Sequence, residues 1–292
     1  MNLTLLLPLA LALLAALATM VAHRRLRPDL SAPLLTAAII GVVLAVLPVL
    51  VVFSLGFVAH HPLLGGVLDW CHHVVGFHGA INPWVGGVAS LLLAVGTVRA
   101  SRVIWAWRRF HRSEPGAPEV VDADDLFAYS LPGPGRRVVV SSGLIERLEA
   151  EEFAIVMAHE HSHAEHRHDR HLLIADLAVA VFPLAAPLRR RLRFVLERWA
   201  DESAAASLGA DRRMVARTLA RVAVAQNEIP RFAAGVNGLG VAARAEALLR
   251  PVAWPHQRRW LSLMSAGVGV VVVAAGVQAH HLTELLATLC SG

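Results

Sequence analysis

The sequence predicts a mainly α-helical integral membrane protein with four spans and, between the third and fourth, a helical aqueous region that carries a small β-hairpin. Three observations predict it. Of 292 residues 56% are hydrophobic, more apolar material than a soluble domain of this size needs. The excess is gathered into long uncharged runs. The charged residues, only 17% of the chain, gather between Arg99 and Arg259, where two short β-rich runs flank a Pro/Gly turn and helical patterns follow.

A bilayer core takes roughly 20 residues of helix. Leu3–Ala22 and Leu34–Ala59 meet that length without a charge, followed by about 81–98 and by Leu261–Ala279. Arg99 and Arg102 at the end of the third can snorkel to the interface. The organisation expected is residues 1–112 with three spans, 113–258 as the aqueous domain, and 259–292 with the fourth span and a short tail. A cleaved leader is not expected, because Arg24, Arg25 and Arg27 follow the first apolar run instead of preceding it. These arginines, those at 99–112, and Arg258 with Arg259 fall on one side if all four segments cross. That side should be cytoplasmic, which puts the aqueous domain there and the loop 60–80 outside.

All 27 basic residues are Arg and the formal net charge is +5. The arginines flank apolar runs, and no basic, aromatic-interleaved strand pattern accompanies them, so the partner expected of this charge is the lipid bilayer and not nucleic acid. The two cysteines, Cys71 and Cys290, are too few for a disulfide framework and form no CxxC pattern. Both face outward in this topology, which leaves a pairing between them open. The same outward loop gathers His60, His61, His72, His73 and His78, read as an interfacial segment or as a metal- or pH-sensing patch.

In the aqueous region Pro115, Gly116 and Pro118 read as a linker. Leu126–Ser130 and Arg137–Ser141 around Pro132-Gly133-Pro134-Gly135 read as a hairpin, and 143–148 as a short helix. Glu149, Glu151 and Glu152 mark the start of a longer helix, with no Pro or Gly to stop it before Pro183. Leu188–Leu208, ended by Gly209, and Asp211–Gln226 read as two more.

The first long helix of this region carries His159-Glu160-His161-Ser162-His163. Positions four apart on a helix share a face, about 6 Å apart along the axis, so His159 and His163 can bind one Zn²⁺. Glu160, about 100° around the axis, lies beside such a metal as candidate proton acceptor. A catalytic zinc needs a third protein ligand and an open position. Glu197, on the next long helix in Glu197-Arg198-Trp199-Ala200-Asp201, is the candidate, and Asp201 on the same face can orient a ligating imidazole. The competing reading of Glu197 and Asp201 is surface salt bridging with nearby Arg. Val138, Val139 and Val140 are either ordinary sheet or an edge that pairs with an extended substrate.

HExxH followed by ExxAD on the next helix resembles the gluzincin membrane metallopeptidases of the M48 and M56 groups, and Arg137–Ile145 with the following Glu-Ala-Glu-Glu and Ala-His-Glu is similar to the segment that leads into their active-site helix. The resemblance implies a zincin-like domain, one Zn²⁺ per chain, peptide-bond hydrolysis, a protein substrate and a multi-pass place in the bacterial cytoplasmic membrane. Four spans around a cytoplasmic domain resemble the BlaR/MecR-type antirepressor proteases most, which implies a repressor protein as partner, although no penicillin-binding sensor domain is expected in the short tail after the fourth span. HtpX-like quality-control proteases are the alternative within the enzymes, and a non-catalytic zinc-binding receptor the alternative outside them. The later His-Pro element of the M48 relatives is missing, so Tyr129 and Arg244 stand in as candidates for oxyanion stabilisation. His161, His166, His168 and His171 are expected on a solvated or juxtamembrane face.

Overall fold

The computed structural model describes residues 3–22, 25–60, 82–113, 119–131, 137–209, 211–227, 234–250 and 256–290. The outward histidine loop after His60 with its Cys71, the Pro115–Pro118 linker and the hairpin turn lie outside them. Four long helices carry the apolar runs: α1 (Leu3–Ala22), α2 (Pro28–His60), α3 (Pro83–Ser113) and, at the other end of the chain, α10 (Gln257–Cys290). Within the described residues three stretches are long and apolar enough to cross a membrane, Pro28–Leu55, Pro83–Arg112 and Gln257–His280, and α1 contributes a shorter apolar stretch, Ala10–Val21. The third helix runs 15 residues past the end expected for it, because nothing between Val98 and Ser113 breaks a helix. Its apolar half exposes Trp84, Val85, Val88, Leu91, Leu92 and Val95, the kind of patch that lipid covers.

Between these helices the chain forms β1 (Val120–Val121), β2 (Ala128–Ser130), β3 (Val138–Ser141), α4 (Ser142–Arg147), α5 (Ala150–Glu165), α6 (His168–Val181), α7 (Ala186–Leu208), α8 (Arg212–Asn227) and α9 (Ala234–Leu249). The expected hairpin is present, with Tyr129 opposite Val139 in antiparallel register. Strand β1 adds itself in parallel on the other side of β3, giving the order β1-β3-β2. This overturns the edge-strand expectation for Val138, Val139 and Val140. They lie in the central strand, 6%, 0% and 4% exposed; all three pair with β2, and Val140 is matched by β1 on its other side as well. The two-residue β1 is too short to signal itself by alternation, so the sequence offered nothing to place it.

The segment after β3 ties the sheet to the helices. Ser141 caps α4 by accepting from the Leu144 N–H (3.2 Å), and its Oγ also accepts from the Phe127 N–H (3.1 Å). A Cβ built on Gly143 would sit 2.4 Å from the Asp124 carbonyl oxygen, and the Gly143 N–H donates to the Ala123 carbonyl at 2.9 Å. Only glycine fits that approach. Gly143→Ala is expected to lower stability by about 1–3 kcal/mol, the cost of forcing an atom into a packed site; thermal unfolding of the purified variant measures it.

Helix α5 starts where the acidic run places it, and the Glu152 carboxylate accepts from the Glu149 N–H at 3.2 Å, one half of a capping box. It stops sooner than expected. His166 closes it and Arg167 takes a left-handed conformation (φ 53°, ψ 46°) before α6 begins. Helix α7 ends at Gly209, which is left-handed as a C-terminal glycine should be (φ 58°). Helices α6 and α7 do not form a core apart from the apolar bundle. Ala175, Ala178, Leu188, Leu192, Val195 and Leu196 share one buried cluster with Ala12 and Ala16 of α1, Leu35, Ile39 and Val42 of α2, and Val271 of α10. The helix that presents Glu197 is therefore braced directly by the membrane-type helices.

Candidate metal centre

Helices α5 and α7 pack against each other and bring together residues that are 34 positions apart or more. His159 is 6% exposed. Its Nε2 lies 3.1 Å from Nε2 of His163, the four-residue spacing placing both rings on one face. The Glu197 carboxylate approaches both, Oε2 at 3.7 Å from His159 Nε2 and Oε1 at 3.9 Å from His163 Nε2. One donor atom from each of the three lies within 4.8 Å of the others. Two imidazole nitrogens and one carboxylate oxygen around a common point are a donor set that suits Zn²⁺, so the residues present fit the metal.

Asp201 is 2% exposed and faces the other nitrogen of the same ring, Oδ1 3.1 Å from His159 Nδ1. Helix α9, which the sequence did not announce, supplies Arg244. Its Nε and Nη2 grip Asp201 at 2.8 and 2.6 Å, and Nη1 reaches Glu197 Oε2 at 2.8 Å. The guanidinium thus holds the two carboxylates of α7 in a fixed relation. This corrects the oxyanion expectation for Arg244, since all three of its nitrogens are committed to carboxylates. Tyr129 sits on edge strand β2, 36% exposed and stacked on Phe127 with ring centroids 6.1 Å apart.

Glu160 reaches the sheet while staying close enough to the centre to interact with the charges of His159, Glu197 and Arg244. The Ser130 N–H donates to its Oε2 at 3.0 Å. Leu131 N–H and Phe127 C=O bond across to β3, so in the alternation of an antiparallel ladder the Ala128 and Ser130 backbone groups face outward. The carboxylate of Glu160 is therefore anchored on the free side of β2.

The charges follow from this packing. Burial works against a proton on His159, but the Asp201 and Glu197 carboxylates outweigh it and push its pKa up to about 10. Burial, with the neighbouring charge of His159, lowers His163 to about 4. Desolvation opposes a charge on Glu197 too, yet His159 and then Arg244 hold it well below the usual carboxylate range. Asp201 is lowered as well: Arg244 and His159 more than offset its burial. The pair of carboxylates is thus ionised and concentrates a positive charge at the imidazoles, where a cation would sit. Burial raises Glu160 to about 7, with the Glu197 charge adding to it and His159 and the Ser130 N–H opposing. A carboxyl poised near neutrality is suited to taking and returning a proton.

The remaining histidines do not behave alike. His161 is exposed and its Nδ1 contacts the Met157 carbonyl at 2.7 Å, and His171 Nδ1 meets Thr36 Oγ1 of α2 at 2.7 Å, as a solvated and a juxtamembrane residue would. His166 lies against Trp199 with centroids 4.4 Å apart. His168 departs from the expectation altogether. It is 1% exposed and its Nδ1 is 2.8 Å from Nδ1 of His163. Only the break at Arg167, invisible in a run free of Pro and Gly, turns it inward.

Comparison with known proteins agrees in place with this cluster. Residues 101–232 match the family model of peptidase family M48, a segment that includes His159, Glu160, His163, Glu197 and Asp201. Over 62 residues the chain is 44% identical to a protein of Thermoplasma acidophilum described as a protease HtpX homolog, a match that covers 20% of this chain and 19% of that protein. It thus spans about a fifth of the relative's length. No solved structure matches. Of the two groups the sequence resembles, these findings support M48.

Proposed function

We propose, on the M48 similarity and the three-donor cluster, that this chain is a membrane-embedded zinc endopeptidase in which His159, His163 and Glu197 hold the metal and Glu160 handles the proton. The observation that carries it is the convergence of His159 Nε2, His163 Nε2 and Glu197 on one point, beside a carboxylate held by a backbone N–H. When bound, zinc polarises a carbonyl and brings the pKa of water toward neutrality. Glu160 accepts a proton from the attacking water and delivers it to the leaving amine. The Ser130 N–H keeps that carboxylate at its post, and Asp201 keeps the His159 ring oriented. Strand β2 is the edge along which an extended peptide would lie, and the outward groups of Ala128 with the Ser130 carbonyl are the ones left to pair with it, since the Ser130 N–H is taken by Glu160. Tyr129 remains the candidate for contact with a developing oxyanion.

Residues 113–258 would be the catalytic part and 1–112 with 259–292 the membrane part, in a bacterial inner membrane with the catalytic part in the cytoplasm, as the Arg-rich flanks suggest. The relative described as a protease HtpX homolog favours proteolysis of membrane or membrane-proximal proteins, of the quality-control kind, over cleavage of a transcriptional repressor. A metal-binding receptor without activity is less well supported. The cluster among the described residues has three donors, whereas structural zinc sites are closed by four. The expected result is that purified protein in detergent cleaves an unfolded test protein, stops when a chelator is added, and resumes when zinc is restored. Zinc-loaded protein that leaves such substrates intact, or cleavage indifferent to chelation, would count against the assignment.

A further inference from the structure

Three histidines follow His163 within eight residues, and one of them is in the interior. His168 is 1% exposed. Its Nδ1 lies 2.8 Å from Nδ1 of His163, the two rings nearly perpendicular at 84°. Its other nitrogen, Nε2, is buried without a hydrogen-bond partner among the described residues. Trp199 of α7 closes the far side, with ring centroids 5.0 Å apart. The chain accepts a local cost to put it there, since Arg167 takes the left-handed conformation (φ 53°) that non-glycine residues seldom adopt, and His168 then begins α6.

One distribution of protons fits these contacts. An imidazole that binds a metal through Nε2 carries its proton on Nδ1 and donates it to a neighbour. For His159 the neighbouring acceptor is Asp201. For His163 the atom within reach is Nδ1 of His168. Accepting there puts the proton of His168 on Nε2, because a neutral imidazole has one donor and one acceptor. A carboxylate in the same place would be a further buried charge, whereas a neutral ring accepts a hydrogen bond without that desolvation cost.

We propose that His168 is the positioning residue of His163: it accepts the His163 Nδ1 proton, and so sets the tautomer and orientation in which Nε2 is presented to the metal. It touches neither metal nor substrate. The two imidazoles of the motif are thus supported differently, His159 by an anion shared with Arg244 and His163 by an uncharged ring. The assignment rests on His159, His163 and Glu197 holding the metal.

The experiment compares wild type, His168→Phe and His168→Asn in detergent for zinc affinity by chelator competition, and records histidine ¹⁵N spectra of the zinc-loaded wild type. Phe keeps the ring volume without an acceptor, and the Asn Oδ1 falls close to where Nδ1 was. The Phe variant is expected to bind zinc 10- to 100-fold more weakly, on the order of other lost ligand-orienting contacts, with the Asn variant recovering most of the loss. The wild-type spectrum should show His163 protonated on Nδ1 and His168 as the neutral Nε2–H tautomer, and this holds as a test even if the Phe variant does not fold. His168 protonated on Nδ1, or a folded Phe variant within about twofold of wild-type affinity, overturns the role of His168 and leaves the metal centre standing. Wild type that takes up no zinc overturns the metal centre, and His168 with it.

Discussion

Glu160→Gln is expected to keep its zinc and to lose cleavage by roughly 10²- to 10⁴-fold, the usual worth of a positioned general acid–base. The amide has the shape of the carboxylate, and its oxygen can still accept from the Ser130 N–H, now 3.0 Å away, so strand β2 should stay in place. What it lacks is the ability to take a proton, the property that burial tunes in Glu160 by raising it to about 7. Zinc content per chain and initial rates on an unfolded substrate measure the two halves of the expectation separately. A Glu160→Gln protein with near wild-type turnover would remove Glu160 from the chemistry. The same inactive variant should retain what it binds. Membrane-protein fragments co-purifying with it would favour the quality-control role, and a soluble DNA-binding protein the repressor role.

Asp201→Ala should cost the most stability of any substitution in the centre, about 3–5 kcal/mol, the range for stripping one partner from a buried ion pair. Asp201 is 2% exposed and takes two nitrogens of Arg244 at 2.8 and 2.6 Å while facing His159 Nδ1 at 3.1 Å. Removal strands most of a guanidinium that is 17% exposed and unties the His159 ring, so zinc affinity should fall by about 10- to 100-fold as well. Adding Arg244→Met should return part of the stability, because the unpaired charge is then gone, but not the zinc affinity, because the ring remains unheld. Denaturant unfolding and chelator competition on the single and double variants give both quantities. A single variant as stable as wild type would show that the pair does not hold α7 and α9 together.

The role of Arg244 shows how a site residue can be named for the wrong reason. Its charge invited a place opposite a developing oxyanion, but α9 packs against α8 and α7, and that packing spends the charge on Asp201 and Glu197. The three valines of β3 went astray similarly. Their β-branched run marks a strand correctly, but whether a strand is central or at an edge depends on what pairs with it, and β1 comes from a segment with two strand residues. The edge beside the centre is β2, whose Ser130 N–H donates to Glu160.

What the sequence determined by itself is what helical periodicity and chain composition encode locally. The apolar runs, the two imidazoles one turn apart, the acidic residue between them and the Glu197–Asp201 pair one turn apart on a later helix all follow from spacing within single helices. What only the tertiary structure decided are the relations between elements that spacing does not contain: Arg244 reaching back from α9, β3 enclosed between two strands, and His168 turned inward beneath His163. The last depends on one left-handed residue, Arg167, whose conformation no neighbouring Gly or Pro signals, because the packing of α6 against α2 and α7 imposes it from outside the segment.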